Sequence, residues 1–144
     1  MSSTVISTTY YDALAGSGDS DIAKIGYFRI AEGGWTDAGG SPQPRTPSPA
    51  LEDVDAVENP SRYPVDSRFV FTKLIPAANV SRSDTGVMTV ICDVSVDEAN
   101  EDDDSNPPEF WEIMLFTEDD RPVAYRTFNK QTKTPLRVLR HVFN

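Results

Sequence analysis

Residues 110–128 read FWEIMLFTEDDRPVAYRTF. Phe110 to Phe116 is a strand candidate, apolar on both faces except at Glu112. TEDDRP turns the chain, and Pro122 to Phe128 returns as the hairpin partner. Its neighbours Phe110, Trp111, Ile113, Met114, Leu115 and Phe116 suggest low solvent access on both sides of Glu112. The charge at Glu112 then needs a partner, because an unpaired buried carboxylate is costly or titrates. Arg126, across the hairpin, is the candidate partner for a buried ion pair with Glu112. A catalytic acid is the alternative reading of Glu112, but glycoside cleavage requires a second carboxylate at a fixed spacing, which a sequence does not define.

Moving outward, other segments carry the same signature. Lys24 to Ala31, KIGYFRIA, places Ile25 and Tyr27 on one face and Phe28 and Ile30 on the other. Arg68 to Ile75, RFVFTKLI, places Phe69 and Phe71 opposite Val70 and Leu74, and Pro76 ends it. Val87 to Val96 alternates, with Met88, Val90, Cys92, Val94 and Val96 on one side. Cys92 on that apolar face reads as a buried, inert thiol. Leu136 to Phe143 reads as a last strand or a short helix, with alternation favouring the strand. Thr8 to Ala15, TTYYDALA, reads as a short N-terminal helix stopped by Gly16 and Gly18. Between these lies an excursion at about 33–64. Residues 32–64 hold four of the eight Gly and six of the eleven Pro. SPQPRTPSP is unsuited to a helix or a central strand, and a loop this long tends to be functional or disordered. The expected fold is mainly β (α+β): one small β-sandwich-like domain over residues 1–144, with a short N-terminal helix and a long Pro/Gly-rich loop.

Composition narrows the function. The chain has 144 residues, 13 Lys plus Arg and 23 Asp plus Glu, for a net charge of −10. Fourteen aromatic residues argue against a disordered chain. No run of ~18 apolar residues suggests a spanning helix, and no signal peptide is expected from the N-terminal sequence. A single cysteine and a single histidine are too few for an ordinary zinc site or an internal disulfide. Neither G-x-S-x-G nor a glycine-rich phosphate loop is present. The acidic run within Asp97–Pro108, DEANEDDDSNPP, lacks the central Gly of a hand-type calcium loop and reads as a solvated loop. No catalytic residue, metal site or cofactor is therefore expected, and the acidic balance disfavours nucleic acid. The charge is also uneven. Residues 1–120 hold 23 acids and 7 bases, whereas residues 121–144 hold 6 bases and no acid. That basic tail either pairs with its own domain or docks another subunit. Trp35, beside Gly33 and Gly34, is either a lid on the core or an anchor in a neighbour.

The order of segments resembles the N-terminal domain of bacteriophage tail-collar fibre proteins, which fasten tail fibres to the baseplate. The stretches that carry it are YYDALAGSG, KIGYFRIAEGGW, TPSPALED, RFVFTKLIPA and FWEIMLFTEDDRPVAYRTF. Glu112, Ile113, Leu115 and Phe116 fall on the family's strand motif, with Met114 where the family favours Gly, and Val123 and Ala124 fall on its return strand. The resemblance implies a structural component of a phage tail, at the baseplate or fibre-attachment position. It implies assembly in the host cytoplasm, residence in the virion, and contact with other tail, baseplate or fibre proteins in multiple symmetric copies. No membrane or nucleic-acid partner and no catalytic residue follows from it. Trp35, Pro42, Pro44, Pro47, Pro49, Arg137 and Arg140 are the contact residues expected on this reading. Deletion of 41–50 is expected to block assembly and leave the domain folded. The alternative is a carbohydrate-binding β-sandwich that uses exposed aromatics such as Trp35.

Overall fold

The stretch FWEIMLF lies inside β8 (Glu109–Thr117), the middle strand of a five-stranded sheet. The computed structural model describes residues 3–6, 24–46, 69–85, 88–100 and 107–144. The other strands are β1 (Ser3–Ile6), β2 (Ile25–Ala31), β3 (Trp35–Ala38), β4 (Ser41–Pro44), β5 (Val70–Leu74), β6 (Val80–Arg82), β7 (Met88–Val94), β9 (Pro122–Thr132) and β10 (Leu139–Phe143). A 3-10 turn, Ala77–Asn79, joins β5 to β6. The sheets have the orders β1-β9-β8-β2-β5, β10-β7-β6 and β3-β4. Among the described residues every pairing is antiparallel.

The main core lies between the five-stranded and three-stranded sheets. Phe28 and Ile30 of β2, Ile113 and Leu115 of β8, and Ala124 and Phe128 of β9 meet Val90, Cys92 and Val94 of β7 and Leu139 and Phe143 of β10. Because side chains alternate along a strand, the other face of the large sheet collects Tyr27, Met114, Phe116 and Tyr125. The Tyr27 and Phe116 rings stack at 4.9 Å. Both faces of β8 are therefore buried, which is why its sequence from Phe110 to Phe116 is apolar except at Glu112. The molecule is mainly β and sandwich-like, as the alternating patterns predict.

Several boundaries differ from the sequence reading. β9 continues to Thr132, because the polar residues beyond Phe128 still pair with Glu109 and Phe110 of β8. The C-terminal segment is a strand, with Leu139 to Phe143 opposite Val94 to Val90. Leu136 and Val138 precede that strand and stand exposed. Val96 is exposed as well, since β7 ends at Val94. The excursion after Ala31 is partly ordered by the domain itself. Residues 35–44 form a two-stranded hairpin, with its turn at Gly39 (φ 65°) and Gly40 (φ 89°). Positive φ at both turn residues is the tight two-residue hairpin turn that glycine favours. β1 pairs with β9, at Ser3 opposite Thr127 through Ile6 opposite Ala124; four residues without alternation gave no sequence signal. The helix expected at Thr8–Ala15, the rest of the excursion to residue 64, and Glu101 to Asp104 lie outside the described residues.

Candidate functional site

Glu112 is fully buried on the outer face of the large sheet. Tyr125 Oη donates to its Oε2 at 2.5 Å. Arg45 Nη2 lies 3.8 Å from the same oxygen and donates to Tyr125 Oη at 2.8 Å. Arg45 reaches this point because the hairpin closes on itself: Arg45 N donates to Gly34 O at 2.8 Å. The Arg45 carbonyl then accepts from Thr127 Oγ1 at 2.5 Å. Gly34 completes the fit. A Cβ built there would lie 2.5 Å from Glu112 Oε2, and its φ of +88° is the left-handed region that glycine tolerates. The arrangement therefore clamps the base of the hairpin onto β8 and β9 through a buried carboxylate. Burial, and then the Glu112 charge, push the Tyr125 hydroxyl far above the ordinary tyrosine range.

This placement corrects the expected Glu112–Arg126 pair. The register sets Arg126 opposite Ile113 and Glu112 opposite Thr127, so Arg126 points to the sandwich face. There its guanidinium donates to Thr4 Oγ1 at 2.7 Å and Val142 O at 2.9 Å, and lies 4.1 Å over the Phe143 ring. The cation beside Glu112 is Arg45, which sequence reasoning missed because it sits inside a proline-rich tract.

Of the expected contact residues, five lie among the described residues. Trp35 is 46% exposed and tilts against buried Trp111 at 6.1 Å. Pro42 is exposed and Pro44 half-buried on the hairpin, while Pro47 and Pro49 lie outside the described residues. Arg140 holds Asp93 with two hydrogen bonds, 2.7 and 3.0 Å long. Arg137 donates to Thr132 O at 3.1 Å. Arg121 pairs with Asp119 at 3.0 Å and Lys130 with Glu109 at 3.5 Å. The basic C-terminal stretch thus folds back on its own domain.

Two further cations are held by the domain, one buried and one half-buried. Lys133 is fully buried and donates to Val96 O at 3.2 Å, Asn100 Oδ1 at 3.0 Å and Thr134 O at 2.8 Å. Burial pulls its ammonium below the ordinary lysine range, against the attraction of Asp97 and Glu98. Lys73 donates to Asp93 O at 2.9 Å and Glu98 Oε1 at 2.6 Å. Burial opposes the Glu98 charge, but the Lys73 and Ser95 hydrogen bonds outweigh it and hold the carboxyl below its ordinary range. These lysines fasten the start of the acidic loop to the domain.

Burial also moves the titration of the single cysteine and the single histidine. Burial pushes the Cys92 thiol up to about 12. His141 Nε2 donates to Gln131 Oε1 at 2.9 Å, and its ring packs on the Phe128 ring at 4.4 Å. Burial, with Arg126 nearby, lowers it to about 4. Comparison of the chain with protein-family models, with curated proteins and with solved structures finds no match.

Proposed function

We propose that this chain is a structural component of a bacteriophage-type tail, at the baseplate or fibre-attachment position, which acts by protein–protein assembly and not by catalysis. The observation that carries the assembly reading is where its large apolar side chains stand exposed. Leu74 is 77% exposed on the outermost strand of the large sheet, Leu136 is 93% exposed on the turn before β10, and Trp35 lies on the hairpin. Exposed apolar groups spread over edges and projections suit a protein that several neighbours cover. The position in a tail rests on the resemblance in segment order. Multiple symmetric copies follow from that position, with assembly in the host cytoplasm and residence in the virion.

The test is co-sedimentation. The tagged chain should travel with tail particles, and Trp35→Ser together with Leu136→Ser should release it into the soluble fraction with its circular dichroism unchanged. A chain absent from sedimenting tails would overturn the proposal. One observation favours a second reading: the half-exposed Trp35 ring beside Trp111 has the exposed face that sugar-binding aromatics use. A glycan array separates the two, since binding abolished by Trp35→Ser would favour a carbohydrate-binding sandwich.

A further inference from the structure

β10 is the outermost strand of the small sheet, and among the described residues its one strand neighbour is β7. A short set of contacts holds it against β9 of the large sheet. His141 Nε2 donates to Gln131 Oε1 at 2.9 Å, and its ring packs on Phe128 at 4.4 Å. Arg126 donates to Val142 O at 2.9 Å and lies 4.1 Å over the Phe143 ring. Two basic side chains, one on each strand, thus make the junction. Among the described residues, the groups that meet the His141 ring include no acid. β9 supplies Arg126, Phe128 and Gln131. β7 supplies Cys92, which stands opposite His141 in register. β1 supplies Thr4, whose hydroxyl accepts from Arg126 Nε at 2.7 Å. The neighbouring carboxylates are engaged elsewhere. Asp93 is held by Arg140 on the other face of β7, and Glu109 pairs with Lys130.

A proton on His141 therefore adds a second cation to an apolar junction that already holds Arg126, with no anion there to offset either. Release of one strand relieves this. Five residues paired to a single neighbour cost less to detach than either sheet costs to unfold. We infer that β10 is an acid-released strap: protonation of His141 beside Arg126 frees Leu139–Phe143 from β7 and β9 and uncovers Cys92, while the five-stranded sheet stays folded. Linkage fixes the direction. The imidazole keeps its ordinary value of 6.5 in the released strand and is lowered to about 4 in the docked one. Release thus takes up a proton and is favoured as pH falls through that window. The strap belongs to the isolated chain and holds whatever the chain assembles with.

Cys92 is the chain's single thiol and is 1% exposed, so its labelling reports the release. Dithiodipyridine reacts with thiols in acid as well as at neutral pH. Its rate on the full chain is divided by its rate on the urea-unfolded chain at the same pH. That ratio should rise roughly 30-fold from pH ~7.5 to ~5. At each pH it should be nearly independent of urea well below the unfolding midpoint, as a local opening requires. His141→Phe and His141→Gln carry no titrating ring, and each should hold the ratio nearly constant over the same range. A ratio that stays flat in the parent chain, that rises as much in a folded His141 variant, or that climbs with urea as steeply as global unfolding would each overturn the strap.

Discussion

Glu112 shows what one residue can demand of a fold. Its carboxylate has no solvent contact, so its stability depends on the groups gathered around it: the Tyr125 hydroxyl, the Arg45 guanidinium and the bare backbone of Gly34. Glu112→Gln keeps the shape but removes the charge that Arg45 and Tyr125 are arranged to meet. It should lower stability by about 2 kcal/mol in urea unfolding. Gly34→Ala should cost at least as much, because its methyl group would press on the Glu112 side chain at a φ that disfavours any Cβ. Unchanged midpoints in both variants would mean that the clamp contributes nothing. Sequence reasoning reaches the buried charge because six apolar neighbours surround Glu112 in FWEIMLF. It does not reach the partner. Arg126 is near in the hairpin, but alternation sends it to the opposite face, whereas Arg45 arrives from a distant segment that carries no apolar pattern.

At the scale of the element, legibility follows the hydrophobic period. β2, β5, β7, β8 and the start of β9 bury alternate or successive apolar side chains, and their patterns are plain in the sequence. β1, β3, β4 and β6 are three or four residues long, too short for a period to register. The β3–β4 hairpin is the instructive case. Its prolines argue against a central strand, and they are compatible with an outer one because both lie at outward-directed positions. This changes what the deletion of 41–50 would do: it removes β4 and Arg45 together, so it should destabilise the domain and not merely detach an arm. A gentler probe acts on the turn. Gly40→Val, at φ +89°, should cost about 1–2 kcal/mol, while Pro42→Ala, exposed and outward, should stay within about 0.5 kcal/mol. Equal effects of the two, read by chemical unfolding, would show that the hairpin is not held by its turn geometry.

For the whole molecule, the cohesion of the two sheets is tied to proton balance. His141 on β10 reaches across to Gln131 and Phe128 of β9, so it sits where the small sheet meets the large one. In the unfolded chain it titrates near 6.5, and in the fold it is lowered to about 4. Between those values the unfolded chain holds a proton that the folded chain refuses. Acid therefore favours unfolding across this window, and the stability present above pH ~6.5 is progressively lost as pH falls towards ~4. The size of the loss is on the order of 3 kcal/mol. Glu98 and Asp119, held below their ordinary values of 4.5 and 3.8, add their own loss only at lower pH, as each is protonated in the fold. The two contributions can be separated. His141→Phe keeps an aromatic ring against Phe128 and removes the titrating group, so its unfolding free energy should stay nearly flat from pH 6.5 to 4.5 while the parent chain declines. Both proteins should then fall together below pH ~4. A parent chain as flat as the variant over the upper window would place His141 in water and leave the sheet junction without its proton-sensitive contact.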